Sequence, residues 1–211
     1  MVFIMSIRER IRNKLFGPPV EDLIVDLSIY NKEIARTRDK YRDRARTLYE
    51  QAKECLIKGD DHRARMYAQQ HLSADRTAFA LDMFVINMDK LIFDLKSAVD
   101  VNQMGVALGK ISKCLNKLQI AKVGGVSQVL RKVTAQMTKI GVKTENIMDQ
   151  LKDYEPFSVE PVTSRDLDKL MDKMVTEVIA EGPAMGLPET KLAELQKKRE
   201  ALKGYGSEET K

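Results

Sequence analysis

Apolar residues recur along this chain in alternating steps of three and four. Val20, Ile24, Leu27, Ile34, Tyr41, Ala45, Leu48, Ala52 and Cys55 keep that rhythm, and Ala64, Tyr67, His71, Ala74, Ala78, Leu81, Val85, Met88, Ile92, Leu95 and Val99 resume it. A 3.5-residue period is the spacing of a coiled-coil seam. Only His71 in the second run is polar, and in that setting it reads as a satisfied register residue before it reads as a ligand. Gly59-Asp60-Asp61 separates the runs. Helices joined by so short a connection must lie antiparallel. The pattern predicts an all-α chain built on a long antiparallel helical hairpin over 18–102. The first helix opens after Pro18-Pro19 with Glu21 and Asp22 in its first turn and reaches about Lys58. At a rise of 1.5 Å per residue it is roughly 60 Å long. The second begins near His62, capped by Asp60 or Asp61.

The second helix also carries Phe79, Met83, Ile86 and Phe93 off the seam. One hairpin partner cannot cover two rows, so later helices or a neighbouring copy must pack there. Met104, Leu108, Ile111, Leu115 and Leu118 continue a helical pattern through Gly105 and Gly109, which suit close packing or a hinge. Gly124-Gly125 breaks it. Beyond, Val126, Val129, Leu130, Val133, Met137, Ile140 and Ile147 start another amphipathic helix, so helices three and four occupy 103–153 and the helical core runs over 18–153. Residues 154–163 read as an extended linker, because Pro156 and Pro161 bias their predecessors away from helix. Thr163 with Asp166 has the spacing of a capping box. The helix it opens, 164–182, is amphipathic, with Leu167, Leu170, Met171, Met174, Val175, Val178 and Ile179 on one face. A last helix, 188–204, carries Leu192, Leu195 and Leu202. It is short enough to need a partner to fold on.

Charge changes the picture. Of the 36 Lys and Arg and 31 acids, residues 1–144 hold 26 and 16, a net +10, and residues 145–211 hold 10 and 15, a net −5. A basic body with an acidic tail expects an anionic partner for the body, the tail itself included. From Val101 to Thr144 there is no acid, while Lys110, Lys113, Lys117, Lys122, Arg131, Lys132, Lys139 and Lys143 supply eight cations. On the first long helix Arg36, Arg38, Lys40, Arg42, Arg44 and Arg46 are relieved only by Asp39 and Asp43; they form either a solvated face or a strip for lipid phosphates. Over 1–16, Ile4, Ile7, Ile11, Leu15 and Phe16 share a segment with Arg8, Arg12 and Lys14. That layout suits a helix in a membrane interface or one packed on the hairpin. Met5 is an alternative start.

Catalytic chemistry is not called for. His62 and His71 do not have the spacing of a ligand pair, no phosphate-cradling glycine loop is present, and nothing asks for a metal or cofactor. Cys55 and Cys114 sit on helical patterns without CxxC and read as reduced core thiols of a cytosolic protein. No 18-residue apolar run and no signal-peptide pattern are found, so membrane contact is expected to be peripheral.

The order of these parts resembles the ESCRT-III family of membrane-remodelling filament proteins, the charged multivesicular body proteins and their archaeal homologues. Residues 53–118, from KECLIKGDDHRARMYAQQ to GVALGKISKCLNKL, carry the resemblance best. Leu15-Phe16-Gly17 and the DLDKLMDKMVTEVIAE helix also fit. The resemblance implies a protomer held closed by its acidic C-terminal region, with Leu167 to Ile179 as the closing helix, covering the second apolar row. Opening would fuse helices two and three and permit polymerisation on the cytosolic face of anionic membranes, with itself and other ESCRT-III subunits. Phe79, Met83, Ile86, Phe93, Lys110, Lys113, Lys117, Val129, Val133, Met137 and Ile140 would be polymer surface. The last helix resembles the helical MIT-interacting motif that recruits an AAA ATPase to disassemble the filament. Leu195, Leu202 and Lys203 match it and Lys198 replaces its Arg, whereas Leu192 stands where an acid belongs and Arg199 where the central Leu does. The Pro-flanked EPFSVEP stretch is a poorer match to the extended form of the motif.

Two other readings stand beside this one. A basic coiled-coil scaffold, or a relative of the bacterial phage-shock membrane proteins, would share the hairpin but not the acidic and terminal helices. Nucleic-acid binding would use the acid-free stretch, but Trp is absent and most Tyr and Phe fall on packing faces, leaving few stacking platforms, so no nucleic acid is expected.

Overall fold

The computed structural model describes residues 20–120, 124–141, 147, 151–157 and 161–205, the side chains of 119, 120 and 201–205 apart. Among the described residues lie six helices and no strand: α1 (Val20–Lys58), α2 (Asp61–Ser97), α3 (Val101–Ile120), α4 (Val126–Lys139), α5 (Ser164–Glu181) and α6 (Glu189–Tyr205). The segment 1–16, with Ile4, Ile7, Arg8, Ile11, Arg12, Lys14, Leu15 and Phe16, lies outside them.

α1 and α2 form the expected hairpin. Gly59 takes φ 81°, and the N–H groups of Gly59 and Asp60 donate to the carbonyls of Leu56 and Cys55 at 3.1 and 2.9 Å, closing the last turn of α1. Asp60 Oδ1 then accepts the Arg63 N–H at 3.1 Å, so Asp60 caps α2 and the connection is Gly59-Asp60. At the far end the seam stops earlier than its period suggests. Val99 is 86% exposed, because Asp100 Oδ1 accepts the Gln103 N–H at 2.8 Å and starts α3 there.

The chain divides into two units that share the hairpin. The first takes residues up to 37 and 80–158. Leu23, Leu27, Tyr30 and Ile34 of α1 and Leu81, Phe84, Met88, Leu91, Ile92 and Leu95 of α2 are buried in it, as are Leu108, Ile111, Cys114, Leu115 and Leu118 of α3. Asn31, in the seam between Leu27 and Ile34, is buried and donates to the Val85 carbonyl at 3.2 Å and to Asp89 Oδ1 at 2.8 Å, fixing one register of the two helices. α4 packs on α3. Gly109 serves close packing, since a Cβ there would lie 2.3 Å from Ile147 Cγ2.

The second unit takes residues 38–79 and 159–211. His71 Nδ1 stands 2.9 Å from the Ala45 carbonyl and its ring meets Tyr49 edge-on, so it is a satisfied residue of the seam.

Candidate functional site

Toward its turn the hairpin seam narrows to alanine. Ala52, Ala64 and Ala68 are fully buried beside Leu56, and such short side chains leave a shallow trough along the two helices. α5 fills it. Met171, Met174, Val175 and Val178 are buried in one cluster with the alanines, and Leu167, Leu170 and Ile179 pack at its margin. All seven residues assigned to the closing helix therefore lie on one docked face. Burying four such side chains is worth roughly 1.5–3 kcal/mol each before ordering costs.

The local sequence prepares this docking. Thr163, extended at φ −98° and ψ 160°, caps α5: its hydroxyl accepts the Asp166 N–H at 3.2 Å, and Asp166 Oδ2 accepts the Thr163 N–H at 3.1 Å. Cations of the hairpin face the acids of α5. Arg76 meets Asp166 at 2.7 Å and Arg65 meets Asp168 at 2.8 Å. Lys53, its side chain only 10% exposed, contacts Glu181 at 2.7 Å and Glu177 at 3.6 Å. Tyr49 donates its hydroxyl to Glu177 at 2.8 Å. Burial alone would lower the Lys53 pKa, but the hydrogen bond and charge of Glu181, with Glu50 and Glu177, more than offset it and leave it raised. Bonding to Thr163 first, then to Arg76, holds the Asp166 carboxyl below the usual carboxylate range. Exposed ion pairs contribute roughly 0–1 kcal/mol each, so the apolar cluster carries most of the docking energy and the pairs fix its register.

α6 joins the same unit. Leu195 is fully buried in the cluster, Leu192 packs over Gly182, and Lys198 pairs with Asp61 at 2.7 Å. Arg199 Nε lies 3.5 Å from Asp172 Oδ1. The helix that looked in need of a partner finds one in its own chain. The side chains of Leu202 and Lys203 lie outside the described residues.

The second apolar row is not covered by the tail as expected. Phe79, Ile86 and Phe93 are 60%, 57% and 66% exposed, and Met83 is half-buried. The physical reason is the alanine trough, which accepts α5 better than a row of protruding Phe. Arg36, Lys40, Arg42, Arg44 and Arg46 lie exposed on α1, while Arg38 is half-buried and meets Asp39 at 2.9 Å.

The acid-free stretch is partly neutralised within the chain. Lys113 donates to the Leu151 carbonyl, Lys117 pairs with Glu155, Lys132 meets Asp26 at 2.7 Å and Lys110 stands 5.7 Å over the Tyr154 ring. Pairing with Lys117 lowers the Glu155 pKa. Val133 and Met137 are buried, and Val129 and Ile140 half-buried, so these four pack inside the first unit. Three features escaped the sequence reading: the alanine trough, Lys53, and the anchoring of Tyr154 and Phe157. Alanines at positions 52, 64 and 68, all flanking the turn, are the signal that could have found the first.

A docked acidic helix on a basic hairpin, with exposed apolar and basic faces elsewhere, defines the class as an all-helical hairpin protein that carries its acidic C-terminal helix on its own hairpin. The Snf7 family model matches residues 23–199, and the chain belongs to that family, the ESCRT-III family. It is an ESCRT-III-like protein involved in membrane remodelling. Neither a curated protein nor a solved structure matches the chain. Among the described residues no helix is long and apolar enough to cross a membrane.

Proposed function

We propose that this chain is a subunit that polymerises on anionic membranes to bend or sever them, and that α5 is its off switch. The observation that carries the reading is α5 itself, docked by Met171, Met174, Val175 and Val178 and aligned by Arg65, Arg76 and Lys53. Opening parts these three cations from the acids of α5 and clears the trough. Phe79, Met83, Ile86 and Phe93 then contact a neighbouring subunit, with Lys110, Lys113, Lys117, Val129, Val133, Met137 and Ile140 as further polymer surface once the first unit rearranges. The exposed Arg and Lys of α1, with the 1–16 segment, meet lipid phosphates.

In this reading α6 recruits the AAA ATPase through Leu192, Leu195, Lys198, Leu202 and Lys203. Burial of Leu195 supports a recruitment site offered only by the open chain. The test is sedimentation with vesicles rich in anionic lipid, for the full chain and for the chain ending at residue 158, with microscopy of the pellets. The shortened chain is expected to pellet at low salt and form filaments or tubes. Failure to sediment would sink the reading. Binding to duplex DNA with a steep salt slope and none to vesicles would replace it.

A further inference from the structure

Residues 151–157 are held along α2 and α3 by contacts specific to their sequence. Leu151 is buried, and the Tyr154 hydroxyl lies 3.7 Å from Cys114 Sγ. Glu155 pairs with Lys117, and the Pro156 carbonyl accepts from Asn87 Nδ2 at 2.9 Å. Phe157 is 6% exposed and meets the fully buried Phe84 edge-on, ring centroids 6.4 Å apart. Aromatic, acid, proline and aromatic each find a built partner, so the segment is a bound peptide and not a mere connection.

Only five residues separate Phe157 from the Thr163 cap of α5. Six Cα steps span at most roughly 20 Å. Wherever α5 goes when it leaves the trough, an anchored Phe157 keeps it within that reach and returns it at high effective concentration.

We propose that the groove of α2 and α3 is an intramolecular peptide site for residues 151–157, and that its occupancy is a second lock which tethers the acidic helix near its dock. The inference rests on reading α5 as the closing helix. Opening then has two stages: α5 undocks reversibly, and lasting release follows when Tyr154 and Phe157 peel from the groove. A partner that opens the chain must compete for the groove as well as for the trough.

Amide hydrogen exchange of 164–181 tests this in the full chain without lipid, so it is independent of whether the protein binds membranes. With Tyr154→Ala/Phe157→Ala added to Asn87→Ala/Lys117→Gln, which also releases Glu155 and Pro156, Leu151 remains the nearest anchor and eleven residues precede Thr163 instead of five. Effective concentration falls as about the −3/2 power of length, so exchange should rise roughly threefold. Ten Gly and Ser residues inserted between 158 and 161 leave the groove intact and lengthen the tether to fifteen, giving roughly fivefold. Protection of α3 at the parental level shows that the first unit is folded. Should that variant lose it, Phe157→Ala with Asn87→Ala and Lys117→Gln carries the same test: Tyr154 is then the nearest anchor, eight residues precede Thr163, and exchange should rise roughly twofold. Faster exchange in both kinds of variant supports the lock. If the insertion speeds exchange and the groove variants do not, or if neither does, the proposal is overturned.

Discussion

Arg76 and Asp166 lie 2.7 Å apart, and the Asp166 oxygen that Arg76 reaches also accepts the Thr163 backbone N–H that opens α5. One carboxylate thus completes a helix cap and ties that helix to the hairpin, so formation of α5 and its docking reinforce each other. The pKa of this carboxyl is depressed in the folded chain, chiefly by Thr163 and then by Arg76. A depressed acid contributes stability that is present above its unfolded value of about 3.9 and is lost as pH falls through the lower folded value. The protection of 164–181, that is, exchange corrected for its intrinsic pH dependence, should therefore hold steady from neutral pH to about 4 and fall below it. Asp166→Asn should speed exchange at neutral pH and flatten this acid dependence. An unaltered acid profile in that variant would remove Asp166 from the switch.

Filling the trough should open the chain from the other side. Ala64→Leu or Ala68→Leu places a bulky side chain in the cluster that holds Met174 and Val178, and overpacking of this kind costs roughly 1–3 kcal/mol. Met174→Ala, at a fully buried site, should cost roughly 2–5 kcal/mol of docking. Both changes should raise vesicle sedimentation of the full chain toward that of the chain ending at residue 158. The hairpin should remain helical by circular dichroism.

How much of this could be read from sequence depends on the length of chain over which each signal acts. The hairpin was legible because its seam repeats over many turns, and a cap at Asp60 or Asp61 and the capping box at Thr163 were legible because their partners lie three residues away. Val99 was misjudged because a period does not report a competing cap, here Asp100. The destination of α5 was misread because alanine gives no sign of what covers it, whereas Phe79 and Phe93 advertise themselves. Arg65 with Asp168, and Lys53 with Glu181, join residues more than 100 positions apart, and local spacing carries no information about such pairs.

The thiols give an independent check on the first unit. Burial pushes the Cys114 thiol up to about 11, since the thiolate would lose its hydration and gain only the Tyr154 hydroxyl. At pH 8 the native chain should leave Cys114 unmodified by iodoacetamide over hours, and unfolding in denaturant should expose it, as read by mass spectrometry of the peptide. Rapid native labelling would mean that α3 opens locally far more often than its packing implies.

Phe79, Ile86 and Phe93 recur every seven residues along the solvent side of α2, and each keeps more than half of its surface exposed. An apolar row at heptad spacing is a second seam, with Met83 in its interval. Exposed side chains add little to folding, so Phe79→Ser, Ile86→Ser and Phe93→Ser should each change the melting free energy by about 0.5 kcal/mol or less. If a neighbouring subunit packs on this row, the triple variant should still sediment with anionic vesicles through its basic residues. It should form no filaments by negative-stain microscopy. Filaments of normal appearance from the triple variant would assign subunit contacts to another face. Loss of vesicle binding together with filaments would place the row against the lipid instead.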